Sequence, residues 1–524
     1  MLPESPARQD RVPAGWLAAL AIAVTTVCSL VLSHVRMMWA DEFLSYWGDR
    51  LPTAGDVLRV QLHYPISLDP PTYHLLAHWS MQIFGQGALG MRMPALLGVI
   101  LAQITLFFLV RRMAGPRAAV IAAALPAALG PFWYSAEGRP YGWLLGMYGL
   151  ALLCWHIAAY PDADSNGARK NLRALALVGL VLAIAGAITS HYFGVLILLP
   201  LAAGELARTF ERKRLDFAMV AALAAGMASI ALILPFRAAL KVFQLHYYNR
   251  DVTLQAIKLG YTNVISQSVA ATCLIVLVVA VAGYLRFRKR ERTEAAATWV
   301  MLLTLALMPV WCFLFERFVT HSMEGRYAIP AVLAFVVVIA VLLQGLLQRA
   351  AVFYGVLGLV VLAGVGSLGV KIRREKRFRA DFTSELTLPA LAESSGAGDA
   401  SRPIYINSFG DFLQDQYYAS PEIQSRLTYV FDPEEEIRWK GRDTHSISGM
   451  NVQNYAPLHI APYSEFLSQK NPLVLVYNVE DWEWLPQDVA ARHFAVQPLG
   501  TMMLGKLEQV DTHPSGMAAA QGSR

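Results

Sequence analysis

WLAALAIAVTTVCSLVLSHV (Trp16–Val35), followed closely by MWADEF (Met38–Phe43), decides how this chain is read. The first run carries no Asp, Glu, Lys or Arg over 20 residues. That is about the length a hydrocarbon core of ~30 Å requires of a helix. Arg8 and Arg11 precede it and no small-x-small cleavage site follows, so it reads as a first spanning helix with a cytoplasmic N-terminus, not as a signal peptide. Ten further apolar stretches approach the same length, near residues 90–110, 118–134, 140–159, 174–190, 192–207, 216–235, 266–285, 296–315, 327–347 and 351–370. The expected architecture is an α-helical polytopic membrane protein of about 11 transmembrane helices.

Composition agrees. The 524 residues are 56% hydrophobic and only 16% charged, where soluble domains hold about a quarter charged residues. The net charge of +6 sits in scattered short clusters, which speaks for membrane topology and against nucleic acid as a partner. From an N-in start, the cytoplasmic loops carry Arg111, Arg112 and Arg117, then Arg169, Lys170 and Arg173, then Arg208, Arg212, Lys213 and Arg214, then Arg286, Arg288, Lys289, Arg290 and Arg292. The opposite loops are poorer in Lys and Arg, as the positive-inside rule requires. KIRREKRFR (Lys371–Arg379) breaks the pattern, because an odd helix count places it outside. Cys28, Cys154, Cys273 and Cys312 all lie in apolar stretches and offer neither a disulfide framework nor a thiolate metal cluster.

Beyond residue 380 the pattern changes. SSGAGD (Ser394–Asp399) reads as a linker, followed by strand-like runs at Arg402–Asn407, Pro472–Asn478 and Met502–Leu507. Helix-like pieces at Gly410–Ala419 and Asp488–His493 alternate with them, so a small α/β domain is expected. The division this predicts is a membrane module over 1–375, with a first outer loop over 37–89, an extracytoplasmic domain over 376–511 and a disordered tail over 512–524.

The unusual polar residues fall on one expected face, the outer one. Asp41-Glu42 ends the first helix among aromatic and apolar neighbours, where a carboxylate is costly unless it has work as a base or cation partner. The long loop that follows holds His63-Tyr64-Pro65 and Asp69-Pro70-Pro71-Thr72-Tyr73-His74, leading into an amphipathic stretch Tyr73–Phe84 suited to the interface, with Trp47 and Trp79 as anchors. His74 and His78 share a helix face at i and i+4, but no third metal ligand accompanies them. YSAEGRPY (Tyr134–Tyr141) sets Arg139 at the mouth of a helix, a natural phosphate position unless Glu137 simply neutralises it. Thr189–Tyr192 and the segment from Glu316 through His321 to Pro330, with Arg326, complete the face. Together they predict a membrane-surface site for an anionic lipid substrate.

These residues resemble the GT-C glycosyltransferases, in particular family 39, the protein O-mannosyltransferases and bacterial aminoarabinose transferases. The resemblance rests on Asp41-Glu42, Pro70–Tyr73, GMRMP (Gly90–Pro94), Tyr134–Tyr141, His191-Tyr192 and Arg326-Tyr327-x-x-Pro330, in family order over about residues 15–350. It implies inverting transfer of a sugar from a polyprenyl-phosphate donor to an acceptor hydroxyl of a protein, lipid or glycan, at the outer face of the cytoplasmic (inner) membrane. On that reading Asp41 is the catalytic base and Glu42 orients the acceptor or supports Asp41. Arg139 holds the lipid phosphate, with Glu137, Arg326, His191 and His63 as further donor-binding candidates. Tyr73, Tyr141 and Tyr192 shape the pocket. No matching metal set can be mapped, which leaves a divalent metal open as a cofactor and none assigned. The C-terminal part is unlike the β-trefoil of the eukaryotic mannosyltransferases, and no Trp-Trp-Asp motif of the oligosaccharyltransferases is present.

Three rivals stand beside this reading. A transporter or flippase calls for midplane charges and pseudo-symmetric halves, whereas these spans are nearly charge-free. An assembly protein acting through its C-terminal part leaves the Asp41 and Arg139 segments without a purpose. A polysaccharide ligase or polymerase shares the site logic and is the nearest alternative.

Overall fold

The structure, a computed structural model, describes residues 13–67, 69–161, 166–239, 253–265, 296–320, 324–385, 402–470, 472–475, 483–498 and 504–509. The expected span at 266–285 with Cys273, the basic loop at 286–292, His321, the linker at 394–399 and the tail at 512–524 fall outside them.

Helices dominate the first 385 residues: α1 (Ala14–Val35), α2 (Ala40–Asp49), α3 (Ala54–His63), α4 (Pro71–Phe84), α5 (Ala88–Ala114), α6 (Pro116–Ala124), α7 (Tyr141–Ala159), α8 (Asn166–Ile188), α9 (Leu198–Arg212), α10 (Phe217–Met227), α11 (Ile230–Ala239), α12 (Gln255–Val264), α13 (Ala296–Ala306), α14 (Met308–Phe315), α15 (Ala331–Leu343) and α16 (Ala350–Glu385). Among the described residues seven helical segments are long and apolar enough to cross a membrane, Ala296–Thr320 passes as one span bent by 54°, and Pro116–Ala128 and Ala331–Leu343 are shorter apolar helices. Together these cover every expected span except the one at 266–285, and the chain is a multi-pass membrane protein. The third span departs from expectation. Helix α6 gives way to 3-10 turns over Leu125–Ala128 and Gly130–Ala136, where Pro126, Gly130 and Pro131 interrupt the backbone ladder.

Glycine permits a close crossing of α5 and α7. A Cβ on Gly142 of α7 would stand 2.5 Å from the Ala95 carbonyl of α5, and one on Gly146 would stand 2.5 Å from that of Gly98. Small residues at this spacing let two membrane helices touch backbone to backbone. The crossing fixes the mouth of α7, with Arg139 and Tyr141, beside the first turns of α5, which carry Arg92. At the other end of the bundle Arg173 forks onto Asp216 at 2.7 and 2.8 Å, and Arg208 pairs with Glu205 and Asp216.

The C-terminal part is a six-stranded sheet of β1 (Ile404–Ile406), β2 (Leu427–Phe431), β3 (Ile460–Pro462), β4 (Leu473–Leu475), β5 (Phe494–Pro498) and β6 (Leu504–Gln509), in the order β3-β2-β1-β4-β6-β5. The first four run parallel, while β6 pairs antiparallel with β4 and β5. Strands β1 and β4 fall in the runs expected to be strands, and β6 overlaps the third of them; β2, β3 and β5 lie outside those runs. The carboxyl end of β1 leads into α17 (Phe409–Tyr418), which packs on α2. Tyr417 meets the rings of Phe43 and Tyr46 at 5.3 and 5.2 Å, and the Met38 N–H donates to the Tyr418 hydroxyl at 2.7 Å. Gly410 permits the closest approach, since a Cβ there would lie 2.7 Å from that of Ala40. The C-terminal part thus rests directly on the helix that carries Asp41.

Candidate active site

Asp41 and Glu42 begin α2, and neighbours on a helix point about 100° apart. The two carboxylates accordingly go to different places. Asp41 stays partly accessible, with Oδ2 2.6 Å from Nη2 of Arg326, whose own side chain is one-fifth exposed. Glu42 is fully enclosed. Arg92 Nε and Nη2 both donate to it at 2.7 Å, the Gly138 N–H donates at 2.6 Å, and the Trp39 N–H donates at 3.3 Å. Burial alone would push the Glu42 carboxyl up, but the Arg92 charge and hydrogen bonds, with Arg36 and the Gly138 N–H, hold it below the ordinary carboxylate range. With its oxygens taken up by these donors, Glu42 cannot orient an acceptor. It shares the first turn of α2 with Asp41.

Arg139 precedes α7, and its carboxylate partner is not Glu137. Its Nη2 lies 2.7 Å from Asp69 Oδ2, while Nη1 donates to the Asp41 carbonyl at 3.1 Å and to Ser45 Oγ at 3.0 Å. Glu137 instead pairs with Arg36 at 3.1 Å, and Arg36 lies 4.0 Å over the Trp133 ring. Burial pushes Glu137 up, against the opposing Arg36 charge. Glu137 therefore faces the end of α1, and its place as a donor-binding residue is not supported by its contacts. Asp69 was quoted in the sequence only as the start of the double-proline segment. In the fold it is buried between Arg139 and His191, whose Nε2 is 3.9 Å from Oδ1. Burial would raise Asp69, but the charge of Arg139 above all keeps it low.

His191 caps the 3-10 turn Tyr192–Ile197, and its Nδ1 accepts the Phe193 N–H at 3.1 Å. The neutral ring must then carry its proton on Nε2, aimed at Asp69. Burial pushes the imidazole down to about 4, with Asp69 opposing and Arg139 and Arg326 reinforcing the fall. An unfolded chain binds this proton near pH 6.5 and the folded chain only near 4, so stability drops as pH falls through that window and is unaffected above it. The loss reaches about 3 kcal/mol once both states are protonated. Thermal unfolding at pH 7.5, 5.5 and 4 is expected to show this slope in the wild type and a shallower one in His191→Gln.

Aromatic rings wall the cluster. Tyr141 lies 5.5 Å from Tyr134 and 5.6 Å from His191, while Tyr327 lies 5.0 Å from His191. The Arg326 guanidinium sits over Trp39 and Tyr141 at 5.4 and 5.5 Å. Tyr73 is buried on α4, and Tyr192 opens the turn after His191; the hydroxyls of both are buried without a hydrogen-bond partner among the described residues. His63 does not join them. It is exposed at the end of α3, with Tyr64 as its ring neighbour.

His74 and His78 both turn Nδ1 to Asp49, at 2.7 Å to its carboxylate and 3.0 Å to its carbonyl. Burial pushes the Asp49 carboxyl up, against the His74 contact. This clamp ties the end of α2 to α4. Among the described residues no three His, Cys, Asp or Glu side chains are placed to hold a metal ion.

A family model, dolichyl-phosphate-mannose-protein mannosyltransferase, matches residues 69–237, which include Asp69, Arg139 and His191. No curated protein matches the chain. ArnT from Cupriavidus metallidurans in the apo state superposes with a TM-score of 0.61 at 14% identity, covering 94% of this chain and 97% of ArnT. The same enzyme bound to undecaprenyl phosphate gives 0.62 at 13% identity, over 96% and 99%. The chain thus has the fold of the GT-C glycosyltransferases. The resemblance read from its motifs is borne out at that level.

Proposed function

We propose that this protein transfers a sugar from a polyprenyl-phosphate-linked donor to an acceptor hydroxyl, with inversion, on the outer face of the cytoplasmic membrane. The observation that carries the reading is the convergence of one accessible carboxylate, Asp41, with two guanidiniums, Arg139 and Arg326, at the mouths of membrane helices. In this structure each arginine is matched by a carboxylate. A donor phosphate competes for Arg326 and so releases Asp41 as a base. Asp41 takes the acceptor proton, the acceptor oxygen bonds to the anomeric carbon, and the bond from that carbon to the phosphate oxygen breaks. The departing phosphate gains a negative charge, which Arg139 and Arg326 stabilise. Neutral His191 offers its Nε2–H as a further donor to the phosphate or the sugar. The binding of undecaprenyl phosphate by ArnT supports the donor class. The basic clusters at the opposite end of the bundle support the orientation, with the α/β part over 376–511 outside the membrane and over the acceptor.

The test uses full-length protein in lipid nanodiscs, supplied with radiolabelled polyprenyl-phosphate sugars and a membrane extract as acceptor. Release of free polyprenyl phosphate is expected from the wild type. Arg139→Gln is expected to lower kcat about 10²–10³-fold, the effect of removing a group that stabilises developing charge. A wild-type rate in that variant, or no release from any donor in the panel, overturns the proposal.

A further inference from the structure

KIRREKRFR has no part in the site above, and it lies on the wrong side for an insertion signal. Helix α16 carries it. With 36 residues this helix is about 54 Å long, far more than a hydrocarbon core of about 30 Å. Its basic turns emerge on the face that holds the Asp41 cluster. Lys371 Nζ sits 5.1 Å from the Phe132 ring and 5.3 Å from the Trp133 ring, and Trp133 stacks under Arg36, which binds Glu137. Lys371 is half-buried and makes no ion pair among the described residues; Arg373, Arg374, Lys376 and Arg377 follow it, exposed and likewise unpaired there. Glu375 is the one acid within the segment, beside Arg374, so the five cations outnumber their own anion and call for an external one.

The helix offers the other half of a lipid site just below. A shallow surface crevice, half open to its surroundings, lies between α1, the end of α6 and α16, lined by Ala21, Val24, Cys28, Ala127, Phe132 and Gly364. Its walls are almost wholly apolar, and Phe132 is shared between the crevice and the Lys371 contact. Gly364 lies two helical turns before Lys371, so the crevice runs from the apolar interior up to the cations. We propose that this is a binding site for an anionic glycerophospholipid, with an acyl chain in the crevice and the phosphate on Lys371 and the basic turns of α16. Juxtamembrane polybasic segments attract acidic headgroups by about 1 kcal/mol per cation, which is about fivefold in affinity. The site is separate from that of the proposed donor. From Lys371 the contacts run through Trp133 and Arg36 to Glu137, and Arg36 is tied down by Glu137 and by the Ala136 carbonyl at 3.0 Å.

Delipidated full-length protein in detergent would be titrated with phosphatidylglycerol and, separately, with phosphatidylcholine, counting bound lipid by native mass spectrometry. Phosphatidylglycerol is expected to bind more tightly, and Lys371→Gln to weaken it about fivefold. Arg373→Gln/Arg374→Gln/Lys376→Gln/Arg377→Gln is expected to remove most of the preference over phosphatidylcholine. Gly364→Leu, which fills the crevice, is expected to weaken both lipids; should it unfold, Lys371→Gln decides alone. Equal binding of the two lipids, or no change in Lys371→Gln and the quadruple variant, overturns the proposal. So does one-for-one displacement of phosphatidylglycerol by polyprenyl phosphate, which would give the crevice to the donor. None of these readouts depends on sugar transfer.

Discussion

Asp41→Asn is expected to slow sugar transfer about 10²–10⁴-fold while leaving the donor bound at least as tightly. Asparagine keeps the shape of the side chain and can still hydrogen-bond, so the start of α2 is undisturbed. It lacks the lone pair basicity that removes an acceptor proton, and it lacks the charge that occupies Arg326 at 2.6 Å. With its anion gone, Arg326 is free for the donor phosphate, so affinity is retained or improved even as turnover fails. That divergence separates a base from a binding residue. Single-turnover release of polyprenyl phosphate and equilibrium donor binding would be measured side by side. Transfer at the wild-type rate would falsify the assignment of Asp41. A parallel loss of rate and donor affinity would make it a binding group instead.

Much of this site is visible in the linear sequence because a membrane bundle puts its polar residues at helix ends. Asp41, Arg139, His191 and Arg326 each flank an apolar run, and alternation of the runs sends them to one face, where the structure brings them together. Which carboxylate meets which arginine is another matter. Asp41 and Glu42 are adjacent and chemically alike; only the fold, by placing Arg92 fifty residues on against one and Arg326 against the other, gives them different tasks. Asp69 was hidden for the same reason, since nothing local marks it as the partner of Arg139. An acid just before a double proline at a helix mouth was the one available hint. His63 misled because a histidine near other polar residues looks alike whether it is exposed or enclosed. In the C-terminal part, β3 has three residues, and β2 and β5 have five each, too few for alternation to stand out. Their pairing is set by neighbours far along the chain.

The largest stability effect is expected at Arg92, which no local pattern singles out beyond the GMRMP segment. Its side chain is 1% exposed and Glu42 is wholly buried. Besides its two bonds to that carboxylate, Nη1 donates to the carbonyls of Ser33 and Arg36 at 2.9 Å and Nη2 to that of Met37 at 3.0 Å. Those are acceptors left over where α1 ends, and a cation is the favoured group at a helix C-terminus. One guanidinium therefore caps the first spanning helix and anchors the helix that carries Asp41. Arg92→Met strands a buried carboxylate and three carbonyls, so a loss of about 3–5 kcal/mol is expected. Arg92→Met/Glu42→Leu removes both charges, leaves only the carbonyls unpaired, and is expected to be less destabilised than the single Arg92 variant. Thermal unfolding in detergent compares the two, and a double variant that loses the sum of the single losses would refute a coupled pair. At temperatures where Arg92→Met stays folded, transfer is still expected to fall, because Asp41 depends on this anchor for its position.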